Sequence, residues 1–180
     1  MTPKERKKLL TLARETITAT ICGQSLPVID NPPESLESQS GCFVTIKQNG
    51  QLRGCIGNFV GQKPLWQTVR EMAVSASTRD PRFYPMKKAD LDNFTLEISV
   101  LSPLEKAQSI DRIQVGTHGI YIIKGSYHGV LLPQVATEYG WDRDTFLRQT
   151  CRKAGLPEDE WQKDCEIYIF SAEIFGEGHK

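Results

Sequence analysis

Apolar residues recur at helical spacing near the start of the chain, at Leu9, Leu10, Ala13, Ile17 and Ile21, and predict an amphipathic helix reaching about Cys22. Its start is written in Thr2-Pro3-Lys4-Glu5: an N-cap threonine, a proline at the first helical position and a glutamate that closes a capping box. Gly23 supplies the stop. A second stripe, Leu65, Val69, Met72, Ala73 and Ala76, opens at Pro64 and must end before Pro81, which pushes Asp80 out of helical geometry. Between the two, residues 26–41 carry Pro27, Pro32, Pro33 and several serines without periodicity. They are expected to form a surface connector, long enough also to cover a cleft.

Elsewhere the pattern shortens to period two. Residues 41–56 fold back on Asn49-Gly50, the strongest short signal for a two-residue hairpin, because both central residues take positive φ. Residues 94–101 alternate, with Phe94, Leu96, Ile98 and Val100 on one face and Thr95, Glu97 and Ser99 on the other. Gly116-Thr117-His118-Gly119 leads into a second hairpin, 120–124 and 127–132, turning at Gly125-Ser126. Pro133 starts a helix, Asp142 caps another that runs through Phe146, Leu147 and Cys151 to Gly155, and residues 165–175 close as a strand marked by Ile167, Ile169 and Phe175. Strands and helices mix without the alternation of a parallel sheet, which predicts an α+β fold with a mostly antiparallel sheet flanked by helices.

Counting outward from the first turn pairs Gln48 with Gln51, Ile46 with Arg53, Val44 with Cys55 and Cys42 with Gly57. In this register Arg53 and Cys55 project side by side from one face, Leu52 and Ile56 from the other. A thiol reacts as thiolate, and an adjacent guanidinium favours the anion, so Cys55 is a candidate nucleophile or ligand; a small residue packed in a tight turn is the plain alternative. The planar fork of Arg53 suits a carboxylate or phosphate of a ligand, or an ion pair with Asp80 or Glu97. Gly54 and Gly57 remove bulk, as a strand requires where a ligand or another backbone approaches. Cys42 falls on the face of Cys55, diagonally at about 7 Å, too far for the about 4 Å Cβ separation of a disulfide. The five cysteines are odd in number, widely spaced and free of C-x-x-C, which argues for reduced thiols rather than a disulfide framework or zinc ribbon.

His118, just before a strand, can serve as general base or metal ligand, against the commoner hydrogen-bonded turn histidine. Asp80 and Arg82 flank Pro81 in an extended segment where Phe83 and Tyr84 offer stacking surface. Cys55, His118 and Asp80 can be written as a Cys-His-Asp set, with Arg53, Gly54, Arg82 and Glu97 as the candidate ligand-binding residues. Composition narrows the classes. Lys plus Arg equals Asp plus Glu at 22 each, leaving no basic field for a nucleic-acid backbone. No apolar run approaches the roughly 20 residues of a membrane span and no signal-peptide core is present, so a cytoplasmic protein is expected. Glycine-rich phosphate loops, H-E-x-x-H and G-x-S-x-G are missing, and the sequence names no cofactor and no metal set.

Gly-Cys-Phe-Val-Thr at 41–45, Leu-Arg-Gly-Cys-Ile-Gly at 52–57, Asp-Pro-Arg-Phe at 80–83, Glu-Ile-Ser-Val-Leu at 97–101, Gly-Thr-His-Gly at 116–119 and Leu-Leu-Pro-Gln-Val-Ala at 131–136 occur in this order. Together they resemble the AMMECR domain family over nearly the whole chain, the block at 52–57 being the family's signature. The resemblance implies one AMMECR-type domain over 1–180 with a larger and a smaller subdomain, a two-lobed α+β fold, and the signature hairpin lining a groove. In bacteria and archaea the family is the A component of the set called AmmeMemoRadiSam, which implies a radical SAM enzyme and a Memo-like protein as partners in a shared modification pathway. It implies no settled reaction. The leading expectation is a groove beside Arg53 and Cys55 that binds or modifies a small anionic molecule, with Cys55 as nucleophile or ligand, Arg53 as anion clamp, and His118 and Asp80 handling protons. The alternative is a non-catalytic adaptor that grips a partner's peptide, and the third option is specific RNA binding through Arg79, Arg82, Phe83 and Tyr84.

Overall fold

The capping box forms where the sequence writes it: Thr2 Oγ1 accepts the Glu5 N–H at 3.3 Å and Glu5 Oε2 accepts the Thr2 N–H at 2.7 Å. The helix α1 (Pro3–Cys22) follows and ends on Gly23 at φ 68°, a left-handed cap that glycine adopts without strain. The computed structural model describes residues 1–178; residues 179 and 180 of the expected 1–180 domain lie outside them. The chain divides into two units, one formed by residues 1–101 with the segment from Glu173, the other by residues 102–172.

In the first unit, a one-turn α2 (Glu34–Glu37) interrupts what the sequence presents as a plain connector. Its Leu36, together with Ile29, is buried in the core, so the proline-rich stretch is anchored by apolar residues too sparse to show a period. The hairpin of β1 (Cys42–Gln48) and β2 (Gln51–Asn58) turns on Asn49 and Gly50 at φ 52° and 76°, and β3 (Thr95–Leu101) pairs antiparallel with the other side of β1. α3 (Leu65–Thr78) buries Leu65, Val69, Met72, Ala73 and Ala76, the predicted stripe. α1 and α3 cover one face of this sheet, enclosing Cys42, Val44, Ile46, Leu96 and Ile98 in a single core.

In the second unit, β4 (Glu105–Lys106) is short, and β5 (His118–Lys124) and β6 (Tyr127–Leu131) form the second hairpin, turning through Gly125 at φ 58°. The helices α4 (Pro133–Glu138) and α5 (Arg143–Lys153) follow, α5 capped by Asp142 Oδ1, which accepts the Thr145 N–H at 2.8 Å. β7 (Glu166–Gly176) pairs with β4 on one side and β5 on the other, then continues past Ala172 into the first unit. Ile120, Ile122, Phe146, Leu147, Cys151 and Ile169 make a separate core. Every strand pair named here is antiparallel, and the fold is α+β.

Candidate functional site

The counted register of the first hairpin holds only next to the turn. Gln48 faces Gln51 and Lys47 faces Leu52, but Ile46 faces Gly54, so Arg53 is an extra residue forming a β-bulge, and Thr45 rather than Val44 faces Cys55. The reason is energetic. Unbulged pairing would aim Arg53 and Cys55 at the core with Ile46 and Val44, and an unpaired guanidinium there is prohibitive. The bulge moves Cys55 to the opposite face and leaves Cys42 inside, so the expected Cys42–Cys55 neighbourhood does not exist. Burial pushes the Cys42 thiol up to about 12.

Gly54 takes the core-facing place, where a Cβ would lie 2.2 Å from the Ala76 carbonyl oxygen. The close approach that this glycine signals is therefore the backbone of α3, not a ligand. At Gly57 the vacated space is filled by the Phe43 ring. Arg53 turns away from Cys55: Nη1 donates to the Tyr84 carbonyl at 2.9 Å and Nη2 lies 3.5 Å from Asp90 Oδ2. The alternatives of Asp80 or Glu97 as its protein partner are replaced by this pair, which closes on the loop after α3.

The guanidinium beside Cys55 belongs to Arg82. β2 lies at the edge of its sheet, and its outward peptide groups at Cys55 are taken up by side chains. Asp80 Oδ2 accepts the Cys55 N–H at 2.9 Å while Arg82 Nη2 donates to the Cys55 carbonyl at 3.2 Å. Arg82 also forks onto Asp80, Nε to Oδ1 at 2.9 Å and Nη2 to Oδ2 at 2.7 Å, and its own N–H reaches Oδ1 at 3.1 Å. Asp80 is buried, whereas the Arg82 side chain is 54% exposed. The Arg82 fork, with the Cys55 and Arg82 N–H groups behind it, holds the Asp80 carboxyl well below the usual carboxylate range. A carboxylate kept ionised by four internal donors has no proton to deliver near neutral pH. It works as the anchor of the Cys55 peptide.

On the side-chain face, Thr45 Oγ1 donates to Cys55 Sγ at 3.2 Å. Thr45 also faces Glu97 on β3, and Lys47 Nζ meets Glu97 Oε2 at 3.1 Å, so thiol, hydroxyl and carboxylate form a row across three strands with an ammonium beside it. Sequence reasoning missed Thr45 and Lys47, although both lie in the hairpin and alternate with the core residues; the one-residue slip hid them. The first unit thus brings together Cys55, Asp80, Arg82 and Glu97. His118 belongs to the second unit, where its Nδ1 accepts the Gln114 N–H at 3.2 Å as part of a turn. The Cys55, His118 and Asp80 set does not fall within one unit. Among the described residues, no group of three or more His, Cys, Asp or Glu is arranged to hold a metal ion, and no helix is long and apolar enough to cross a membrane.

Comparison with known proteins matches the AMMECR1 family model to residues 10–175, a span that contains both hairpins and the Asp80–Arg82 clamp. The chain belongs to the AMMECR1 family. Among AMMECR1 relatives, a protein of Nanoarchaeum equitans is 41% identical over 177 residues, covering 94% of this chain and 98% of its own. One of Aquifex aeolicus is 38% identical over 179 residues, with 95% and 92% covered. The crystal structure of an uncharacterised protein from Pyrococcus horikoshii matches with a TM-score of 0.90 at 37% identity, over 99% of this chain and 94% of that one.

Proposed function

We propose that this AMMECR1-family chain binds or modifies a small anionic molecule, or an anionic group on a larger one, at Cys55, in a pathway shared with a radical SAM enzyme and a Memo-like protein. The observation that carries the reading is the clamp. The Cys55 peptide is fixed on both sides by Asp80 and Arg82, while the thiol sits half-buried on the outward face. Such fixing is what a reacting or ligating side chain needs, because its geometry is set before the ligand arrives. The described bonds of Arg82 use Nε and Nη2 and leave Nη1 with its donors for an anion. Arg53 serves by holding the Tyr84 loop, and Glu97 by pairing with Lys47 beside Thr45. The shared pathway follows from the family's company alone.

The test is alkylation of the folded chain by iodoacetate and by iodoacetamide, resolved for each cysteine by peptide mass spectrometry. Cys55 should prefer the anionic reagent relative to half-buried Cys22, and Arg82→Gln should remove the preference. Equal rates with both reagents, or no labelling of Cys55 before unfolding, sinks the proposal. The adaptor reading is favoured by one feature: Tyr84 is 88% exposed on a loop that Arg53 pins through its backbone, leaving the ring for a partner. In that case Tyr84→Ala abolishes partner capture while Cys55→Ser leaves it intact.

A further inference from the structure

The second unit contains a cavity of about 620 Å³ that the Cys55 site does not use, walled by Lys124, Ser126 and Tyr127 of the hairpin and by Leu156, Pro157 and Glu160 after α5. Its origin is a length mismatch. Lys124 and Tyr127 are directly opposed across the turn and follow Ile120 and Ile122 on the face that packs against α5. The helix ends at Lys153 and Gly155 turns the chain at φ 76°, so the hairpin overhangs the helix by one pair of side chains. A Cβ on Gly155 would approach the Tyr127 ring to 3.6 Å, which sets the ring beside a residue with no side chain of its own.

The polar groups in this cavity are fixed. Glu160 is more than nine-tenths buried and accepts Lys124 Nζ, with Lys163 Nζ 3.8 Å from its other oxygen. An ammonium has three N–H donors, and Glu160 takes one from Lys124, whose side chain stays 41% exposed. Beside these lie Ser126, Tyr127, which is 55% exposed, and the aliphatic residues Leu156 and Pro157. Acidic groups are in slight excess nearby: Lys124 and Lys163 stand against Glu160, Asp159 and Asp164, and the cavity lies past the negative end of α5. A phosphate gains little there. A flat, uncharged ring with acceptors on its rim gains stacking from Tyr127 and hydrogen bonds from Lys124 and Ser126, and the volume suits a small molecule of this size.

We propose that this cavity is a binding site for an uncharged planar heteroaromatic group of nucleobase size, stacked on Tyr127 with its acceptor rim on Lys124. The probes are adenosine and AMP, titrated into the full chain by calorimetry and by ligand-observed saturation-transfer NMR. Adenosine is expected to saturate one site, with AMP no tighter. Tyr127→Ala, at a position exposed enough to leave folding intact, should weaken adenosine by about tenfold or more. Tyr127→Phe should bind as the parent does, and Cys55→Ser should change nothing, separating this site from the signature. The proposal is overturned if adenosine fails to saturate, if Tyr127→Ala binds like the parent, or if AMP binds more tightly than adenosine, which would mark a phosphate site.

Discussion

Single side chains decide where this hairpin can go. Gly54 faces the Ala76 carbonyl at a distance that admits no Cβ, so Gly54→Ala should force β2 off α3 and cost about 2 kcal/mol, read as a lower urea midpoint at unchanged slope. Asp80 gives a second prediction. Its carboxyl is held low in the folded chain, so the stability it contributes is present above the ordinary carboxylate value of 3.8 and is lost as pH falls below it. Chemical denaturation at a series of acid pH values should show the parent losing stability in that range, with Asp80→Asn lacking this component and about 2 kcal/mol less stable at neutral pH. Thiol reactivity follows burial. Cys42 and Cys151, pushed up by burial to about 12 and about 11, should escape alkylation at mildly alkaline pH until the chain unfolds. The sequence singled out Cys55, Asp80 and Arg82 one by one, because an outward-facing strand and a proline-fixed loop are both local features, while their contact belongs to the fold. It could not show that Arg82, and not Arg53, stands beside the thiol, since a bulge depends on what packs behind the strand.

At the scale of elements, local signals were fully readable where the chemistry is local. The α1 capping box, the Gly23 stop, the α3 stripe opening at Pro64 and both hairpin turns appear where the residues place them. Thr2→Ala should therefore cost about 1 kcal/mol, because the Glu5 N–H loses the Thr2 hydroxyl while the Glu5 carboxylate keeps the backbone N–H of residue 2, measurable as a drop in thermal midpoint. The short α2 was illegible because its anchor is Leu36 alone, a single apolar residue among prolines and serines that only a core on the other side can select. The alternation of β3 was read correctly on both faces, but that Ser99 is buried follows from its pairing with Phe43, which no local pattern contains.

For the molecule as a whole, the division of the chain is not where its midpoint would suggest. The first unit is completed by residues from the far end: Glu173 binds Arg6, and Glu177 binds Arg14 through both carboxylate oxygens while accepting the Leu96 N–H at 3.0 Å. Glu177→Ala should lower stability by about 1 kcal/mol, since the Arg14 side chain is partly solvated, and hydrogen exchange should quicken along β3 before it does in the second unit. Because β7 belongs to both units, the polypeptide emerging from a ribosome meets an ordering problem. The signature hairpin and α3 are synthesised early, yet their unit waits for Glu173 and Glu177 until everything between 102 and 172 has been made. The later-made unit is thus the first able to close, and the Cys55 site acquires its last structural support only after residues 102–172 have been made.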